Sequence, residues 1–232
     1  MRIGILQADF VRKELRSDFG DYSDMFTEVL TAVSREPIEF AIFEVVNGQY
    51  PKAVNDCDGY VITGSHESVY DQSDWIIELK DFVHELNETK QKTVGICFGH
   101  QLIAHTLGGL TGQSSKGWGV GIHSFEIHKR QTWMGSGNSF RLICSHQDQV
   151  QILPEEAYTI ASSPFCPYAS YGIDKHFLTF QGHPEFSIPY AKALLHMRKD
   201  ILKDAFEPAI LSMRGAHDAL LVARWMIDFW RG

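Results

Sequence analysis

Apolar residues fall along this chain in two rhythms, short continuous runs and longer stretches spaced by three or four, and the two alternate through its first half. Continuous runs fit strands buried on both faces, whereas the three-and-four spacing fits the covered face of a helix. The opening "RIGILQ" predicts a first strand. Residues 21–34 place Tyr22, Phe26, Val29, Leu30 and Val33 at helical spacing. "EFAIFEVV" predicts a second strand, and "GYVITGS" a third that runs into a Gly-Ser turn. Residues 74–86 read as an amphipathic helix with Trp75, Leu79, Phe82, Val83 and Leu86 on one stripe and Ser73 or Asp74 as its cap. "TVGIC" predicts a fourth strand, followed by a helix over 101–107 that stops at Gly108-Gly109. The order β-α-β-loop-β-α-β-α is that of a parallel sheet wrapped by helices.

The second half changes rhythm. "GIHSFEIHK", "SFRLICS", "EAYTIASS" and "FLTFQGH" predict shorter strands, several of alternating polarity, suited to antiparallel additions or sheet edges. Two helices close the chain, over 188–202 and 216–230. No linker, low-complexity tract or internal repeat interrupts it. The expected fold is α/β: an open, mostly parallel central sheet flanked by helices, with a smaller antiparallel addition, in one domain spanning 1–232. The aromatic end "ARWMIDFW" is expected to pack Trp225, Phe229 and Trp230 into the core rather than against another subunit; the oligomeric state stays open.

Composition narrows the partners. A formal charge of −8 argues against nucleic acid, which needs clustered cations. The nearest basic run, Arg198-Lys199 with Lys203, reads as a solvated helix face. The N-terminal apolar run is too short for a signal core, and no window approaches a membrane span, so a cytoplasmic location is expected. Four cysteines, Cys57, Cys97, Cys144 and Cys166, show no repeated spacing and no C-x-x-C pair, which predicts free thiols and no structural metal.

One cysteine stands apart. G-I-C-F-G, residues 95–99, is the cysteine form of the G-x-S-x-G nucleophile elbow. Gly95 and Gly99 leave room for a sharp strand-to-helix turn that presents Cys97, and a helix N-terminus beside a sulfur favours the thiolate. A cysteine taken at random is more often a buried core thiol, so a base is required. Among eleven histidines, His183 in "QGHPEF" has the most informative setting. Glu185 lies two residues on, facing the same way in extended chain, where it can orient the imidazole. His100 and His105, nearer to Cys97 in sequence, are not the chosen base. An H-x-E zinc deaminase is excluded because no cysteine follows His183. Oxyanion donors are expected from the Phe98 N–H and from the turn "VITGSHES", where Gly64 and Ser65 let backbone amides approach a substrate.

Four motifs in order, T-G-S-x-E-S (63–68), G-I-C-F-G-H-Q (95–101), S-H-Q-D (145–148) and Q-G-H-P-E (181–185), resemble the class I glutamine amidotransferases, and among them stand-alone relatives of the GMP synthase glutaminase domain. The resemblance covers roughly residues 40 to 190. It implies a flavodoxin-like sheet, a Cys97-His183-Glu185 triad without cofactor, attack on the side-chain amide of glutamine, and a γ-glutamyl thioester that releases ammonia. It also implies that Gln101 and the turn Ser145, His146, Gln147, Asp148 hold the α-groups of the substrate, with Trp118 flanking the pocket. Two departures stand out. Ser65 and His66 replace a glycine and a proline of the family's oxyanion turn. No S-G-G-x-D-S loop of an ATP pyrophosphatase part follows, so ammonia would pass to a separate synthase or be released. Hydrolysis of glutamine is the leading expectation. A γ-glutamyl hydrolase or peptidase with the same triad is the main alternative, and a non-catalytic binding module is the third.

Overall fold

Strand formation follows the continuous apolar runs. Ile3, Ile5 and Leu6, Tyr60, Val61 and Ile62, and Val94 and Ile96 are all inaccessible to solvent, because each run lies in a sheet covered on both faces. The computed structural model describes residues 1–232. In chain order its elements are β1 (Arg2–Leu6), α1 (Lys13–Phe19), α2 (Tyr22–Val33), β2 (Glu39–Phe43), β3 (Gly59–Ile62), α3 (Asp74–Glu88), β4 (Thr93–Ile96) and α4 (Phe98–Thr106). There follow β5 (Leu110–Gln113), β6 (Gly119–Ile127), β7 (Ser139–His146), β8 (Asp148–Ile152), β9 (Ala157–Ser162), β10 (Ser170–Ile173) and β11 (Phe177–Phe180). Helices α5 (Ile188–Met197), α6 (Lys199–Leu202), α7 (Phe206–Ser212) and α8 (Ala219–Arg231) complete the chain.

Nine strands form one sheet in the order β2-β1-β3-β4-β11-β10-β9-β6-β7, and β5 pairs with β8 in a small antiparallel sheet. The five strands from β2 to β11 are mutually parallel, and the remaining four extend the sheet antiparallel. One face packs on α2 and α8 through Phe26, Leu30, Trp225, Met226, Phe229 and Trp230. The other packs on α3 and α4 through Leu79, Val83, Leu86, Leu102 and Ile103. The aromatic C-terminus is therefore core: Trp225 is 2% exposed and Trp230 5%. All four cysteines are unbridged and buried. No helix is long and apolar enough to cross a membrane.

Three expectations need correction. "FLTFQGH" is neither an antiparallel addition nor an edge, since β11 lies mid-sheet, parallel to β4 with Phe180 opposite Ile96. Its four residues are all buried, as a continuous apolar run in a parallel sheet should be. The second strand stops at Phe43, and Val45–Asn47 forms a 3-10 turn closed by Gly48 in the left-handed region (φ 71°). The long helix over 188–202 breaks at Arg198, which ends α5 and precedes α6. Helices α1 and α7 and strands β5, β8 and β10 had no counterpart in the sequence reading.

Candidate active site

Strand β4 ends at Ile96, and the next residue turns the chain sharply. Cys97 has φ 50° and ψ −99°, a left-handed conformation in a residue with a side chain, and α4 starts immediately after it. A side chain held there costs on the order of 1–3 kcal/mol, tolerated only where surroundings enforce it. The enforcement is visible. The Cys97 N–H donates to Phe180 O (2.8 Å), and its own carbonyl accepts the Gln101 N–H (3.0 Å). Gly95 and Gly99 permit the turn, because a Cβ on Gly99 would lie 2.5 Å from Ile62 O and one on Gly95 2.7 Å from Gly99 O. Gly99→Ala is accordingly expected to destabilise the fold by about 1–3 kcal/mol or more, read as a lower urea midpoint. An unchanged midpoint would show that the elbow is not packed against β3 as described.

The second component leaves β11, the strand beside β4. The His183 N–H donates to Ile143 O (2.8 Å), and the imidazole Nδ1 lies 2.7 Å from Glu185 Oε1. Both side chains are nearly inaccessible, at 4% and 1%. Phe186 stacks on the ring at 3.9 Å between centroids and 9° between planes. Burial works to lower the His183 pKa, but the Glu185 carboxylate and the Cys97 sulfur outweigh it and raise the value to about 10. The ring's Nε2 is buried without a well-formed hydrogen bond, and the neighbouring Cys97 sulfur favours its charged form both by charge and as a hydrogen-bonding neighbour. Such contacts commonly tighten only once substrate is bound. Gly64 covers both groups, since a Cβ there would lie 3.0 Å from His183 Cε1 and 3.7 Å from Cys97 Cβ.

A cavity of about 330 Å³ opens over this pair. Ten of the twelve sequence-predicted site residues line it: Gly64, Ser65, Cys97, Gln101, Trp118, Ser145, His146, Gln147, Asp148 and His183. Phe98 and Glu185 lie outside the lining. The Phe98 ring packs on Trp75, with 5.4 Å between centroids, while its N–H, first in α4, has no intrahelical acceptor. Glu185 sits behind His183. The N–H groups of Gly64 and Ser65 also lack a backbone acceptor.

The family model described as glutamine amidotransferase class-I matches residues 20–198, more than three quarters of the chain. The chain belongs to the class I glutamine amidotransferase family. It is 34% identical over 189 residues to gamma-glutamyl peptidase 3 of Arabidopsis thaliana, covering 78% of this chain and 73% of the relative. It is 28% identical over 174 residues to a glutamine-hydrolyzing GMP synthase of Streptococcus pyogenes, covering 71% of this chain but 32% of that protein. A solved structure of a glutamine amidotransferase from Thermotoga maritima superposes with a TM-score of 0.81 at 15% identity, covering 100% and 99% of the two chains.

Within this amidotransferase framework the hydrogen-bond partners of several cavity side chains are fixed. Gln101, expected to touch substrate, donates its Nε2 to Asp148 O (2.8 Å) and Gln181 Oε1 (3.1 Å), tying α4 to β8. Asp148 Oδ2 accepts the Ser68 hydroxyl (2.6 Å). Arg198, read as part of a solvated face, lines the cavity and donates Nη1 to Ser145 Oγ (3.1 Å). The break between α5 and α6 turns it inward. Arg12, Tyr22 and Gln181 were not singled out. Gln181 Nε2 lies 3.5 Å from the Cys97 sulfur, and its place two residues before His183 was the available signal. Arg12 and Tyr22 carried no motif. His66 is exposed, with Nδ1 2.7 Å from Asp9 Oδ2, and Asp9 also accepts the His66 N–H (3.0 Å), which pins the turn over 63–68.

Two other histidines of this amidotransferase domain are buried and hydrogen-bonded within the fold, and one of them, His146, also lines the cavity. His100 hydrogen-bonds Thr179 Oγ1 (2.9 Å) and His146 bonds Asp148 O (3.1 Å). Burial, helped by repulsion from His146, lowers His100 to about 3; burial, followed by repulsion from His123, lowers His146 to about 3. The unfolded chain therefore binds protons that the folded chain refuses, and stability must fall as pH drops below about 6.5, continuing toward pH 3. Each residue contributes a slope of up to about 1.4 kcal/mol per pH unit. Urea midpoints at pH 7 and 5 should show the loss, and His100→Gln should flatten it. An equally steep loss in that variant would assign it to other groups.

Proposed function

We propose that this protein is a cysteine-dependent hydrolase of γ-glutamyl amides, with Cys97 as nucleophile, His183 as acid and base, and Glu185 as the carboxylate that orients the imidazole. The observation that carries this reading is the strained cysteine at the end of β4, facing an imidazole locked to Glu185 at 2.7 Å. An imidazolium beside a cysteine is the general arrangement that keeps sulfur ionised and nucleophilic. The sulfur attacks the γ-carbonyl carbon, and the C=O electron pair moves onto oxygen. The N–H groups of Phe98, Gly64 and Ser65 are the donors for that oxyanion. As the tetrahedral species collapses, the C–N bond breaks and His183 gives its Nε2 proton to the departing nitrogen. Water, deprotonated by the same Nε2, then cleaves the γ-glutamyl thioester to glutamate and the free thiol.

The departing amine is an amino acid or peptide rather than ammonia. A cavity of about 330 Å³ gives more room than one free amino acid fills, and it continues past His183 along Phe186 and Tyr22. The similarity to gamma-glutamyl peptidase 3 supports the same choice. Free glutamine is the second reading, supported by the similarity to a glutamine-hydrolyzing GMP synthase, and it would leave room for a separate ammonia-accepting synthase. We also infer one domain over 1–232, because the nine-stranded sheet draws strands from both halves.

Incubation with glutamine and, separately, with γ-glutamyl dipeptides distinguishes the readings through the release of ammonia, glutamate and amino acid. The dipeptides are expected to turn over faster. Ammonia release from glutamine alone would move the assignment to the second reading. No turnover of either, together with no labelling of Cys97 by a glutamine-like electrophile, would remove the enzyme assignment.

A further inference from the structure

We propose that Arg12 and Arg198 form a subsite for a carboxylate on the departing half of the substrate, so that the protein selects γ-glutamyl amino acids or peptides whose free C-terminal carboxylate lies close to the scissile amide. This rests on the γ-glutamyl hydrolase reading and names the part of the substrate beyond the bond that breaks.

The direction of the leaving group follows from proton transfer. The departing nitrogen takes its proton from His183, so the rest of that fragment extends along the wall that continues from the imidazole. That wall is aromatic: Phe186 stacks on His183, and Tyr22 lies parallel to Phe186 at 6.2 Å and 14°. Arg12, Tyr22, Phe186 and Arg198 all line the same cavity. Arg12 stands at the N-terminus of α1 and Arg198 at the C-terminus of α5, two helices that pack on each other.

Charge supplies the second part. Acidic residues outnumber basic ones by 29 to 21 in this chain, yet neither guanidinium forms an ion pair. The carboxylates of the cavity are engaged elsewhere: Asp148 accepts the Ser68 hydroxyl, and Glu67 accepts that of Ser73 (2.9 Å). Arg198 commits one N–H to Ser145 and keeps the rest of its donors. A guanidinium with free parallel donors at the rim of an aromatic slot matches a carboxylate in geometry and charge. Gln101, Gln147 and Asp148, which also line the cavity, are left for the glutamyl half.

The test compares γ-glutamylalanine with its C-terminal carboxamide, which differ only in that charge, by kcat/KM for glutamate release. The wild-type protein is expected to prefer the acid by about ten- to hundredfold, mostly through KM, as loss of a charge-assisted hydrogen bond predicts. Arg198→Gln and Arg12→Gln should each pull the acid-to-amide ratio toward one, and Arg198→Lys should restore part of it. Equal wild-type rates on the two substrates would overturn the subsite while leaving the hydrolase reading in place. Variants that slow both substrates alike and keep the ratio would also overturn it, as marks of a structural role. If the folded protein cleaves neither, the hydrolase reading and the subsite fall together.

Discussion

Cys97→Ala is expected to reduce γ-glutamyl hydrolysis by about four orders of magnitude or more while the protein remains folded. In the proposed mechanism the sulfur is the only nucleophile in the cavity at the end of β4, so no neighbour can take over the attack. Its removal should cost little stability, because alanine keeps the same Cβ in the same left-handed backbone and loses only one polarizable atom. Cys97→Ser tests the chemistry more narrowly. A serine hydroxyl beside His183 fits the space but ionises far less readily, so the variant should also be severely impaired. The checks are initial rates on a γ-glutamyl dipeptide and a thermal melt by circular dichroism. Activity within tenfold of wild type in a folded Cys97→Ala protein would take Cys97 out of the mechanism.

Glu185→Gln should be nearly as damaging, for a different reason. It preserves shape but removes the charge that, after burial is overcome, holds His183 protonated to about pH 10. The imidazole then loses its proton at lower pH and can adopt the wrong tautomer, which should lower the rate by about a thousand- to ten-thousandfold. Stability carries a sign that can be checked. A histidine whose folded pKa is raised stabilises the fold fully below the unfolded value near 6.5, and that contribution fades as pH rises toward about 10. The stability gap between wild type and Glu185→Gln should therefore be widest near pH 6 and shrink toward pH 10, as read from urea midpoints. A gap that widens with pH would mean that His183 is neutral in the folded protein. The acid-side loss assigned to His100 and His146 runs the other way and falls in a lower pH window, so the two effects can be separated.

The sequence revealed most where chemistry demands particular residues at particular spacings. Cys97 between Gly95 and Gly99, and Glu185 two positions after His183, encode their own local geometry, seen in the tight packing at the two glycines and the 2.7 Å contact of His183 with Glu185. The parallel half of the sheet was equally readable from its continuous apolar runs. The place of β11 was not. Three apolar residues and a threonine specify a buried strand but not its neighbours, and the adjacency to β4 arises from long-range pairing. Arg12 and Arg198 were hidden for a related reason. A lone arginine carries no periodicity, and whether it meets water or a cavity depends on a helix break and a helix–helix contact far from either motif.

The pairing of β4 with β11 has one further consequence. The N–H of Cys97, the proposed nucleophile, is a rung of the ladder that leads to His183, the proposed base, since it donates to the last residue of β11. Cys97 and His183 thus belong to one cooperative unit at the centre of the sheet, where local opening is rarest. No partial melting of an edge strand or a surface helix can separate them. On heating, catalytic competence should persist through fraying of the periphery and vanish only with global unfolding, so inactivation and the loss of β-structure should share one transition temperature.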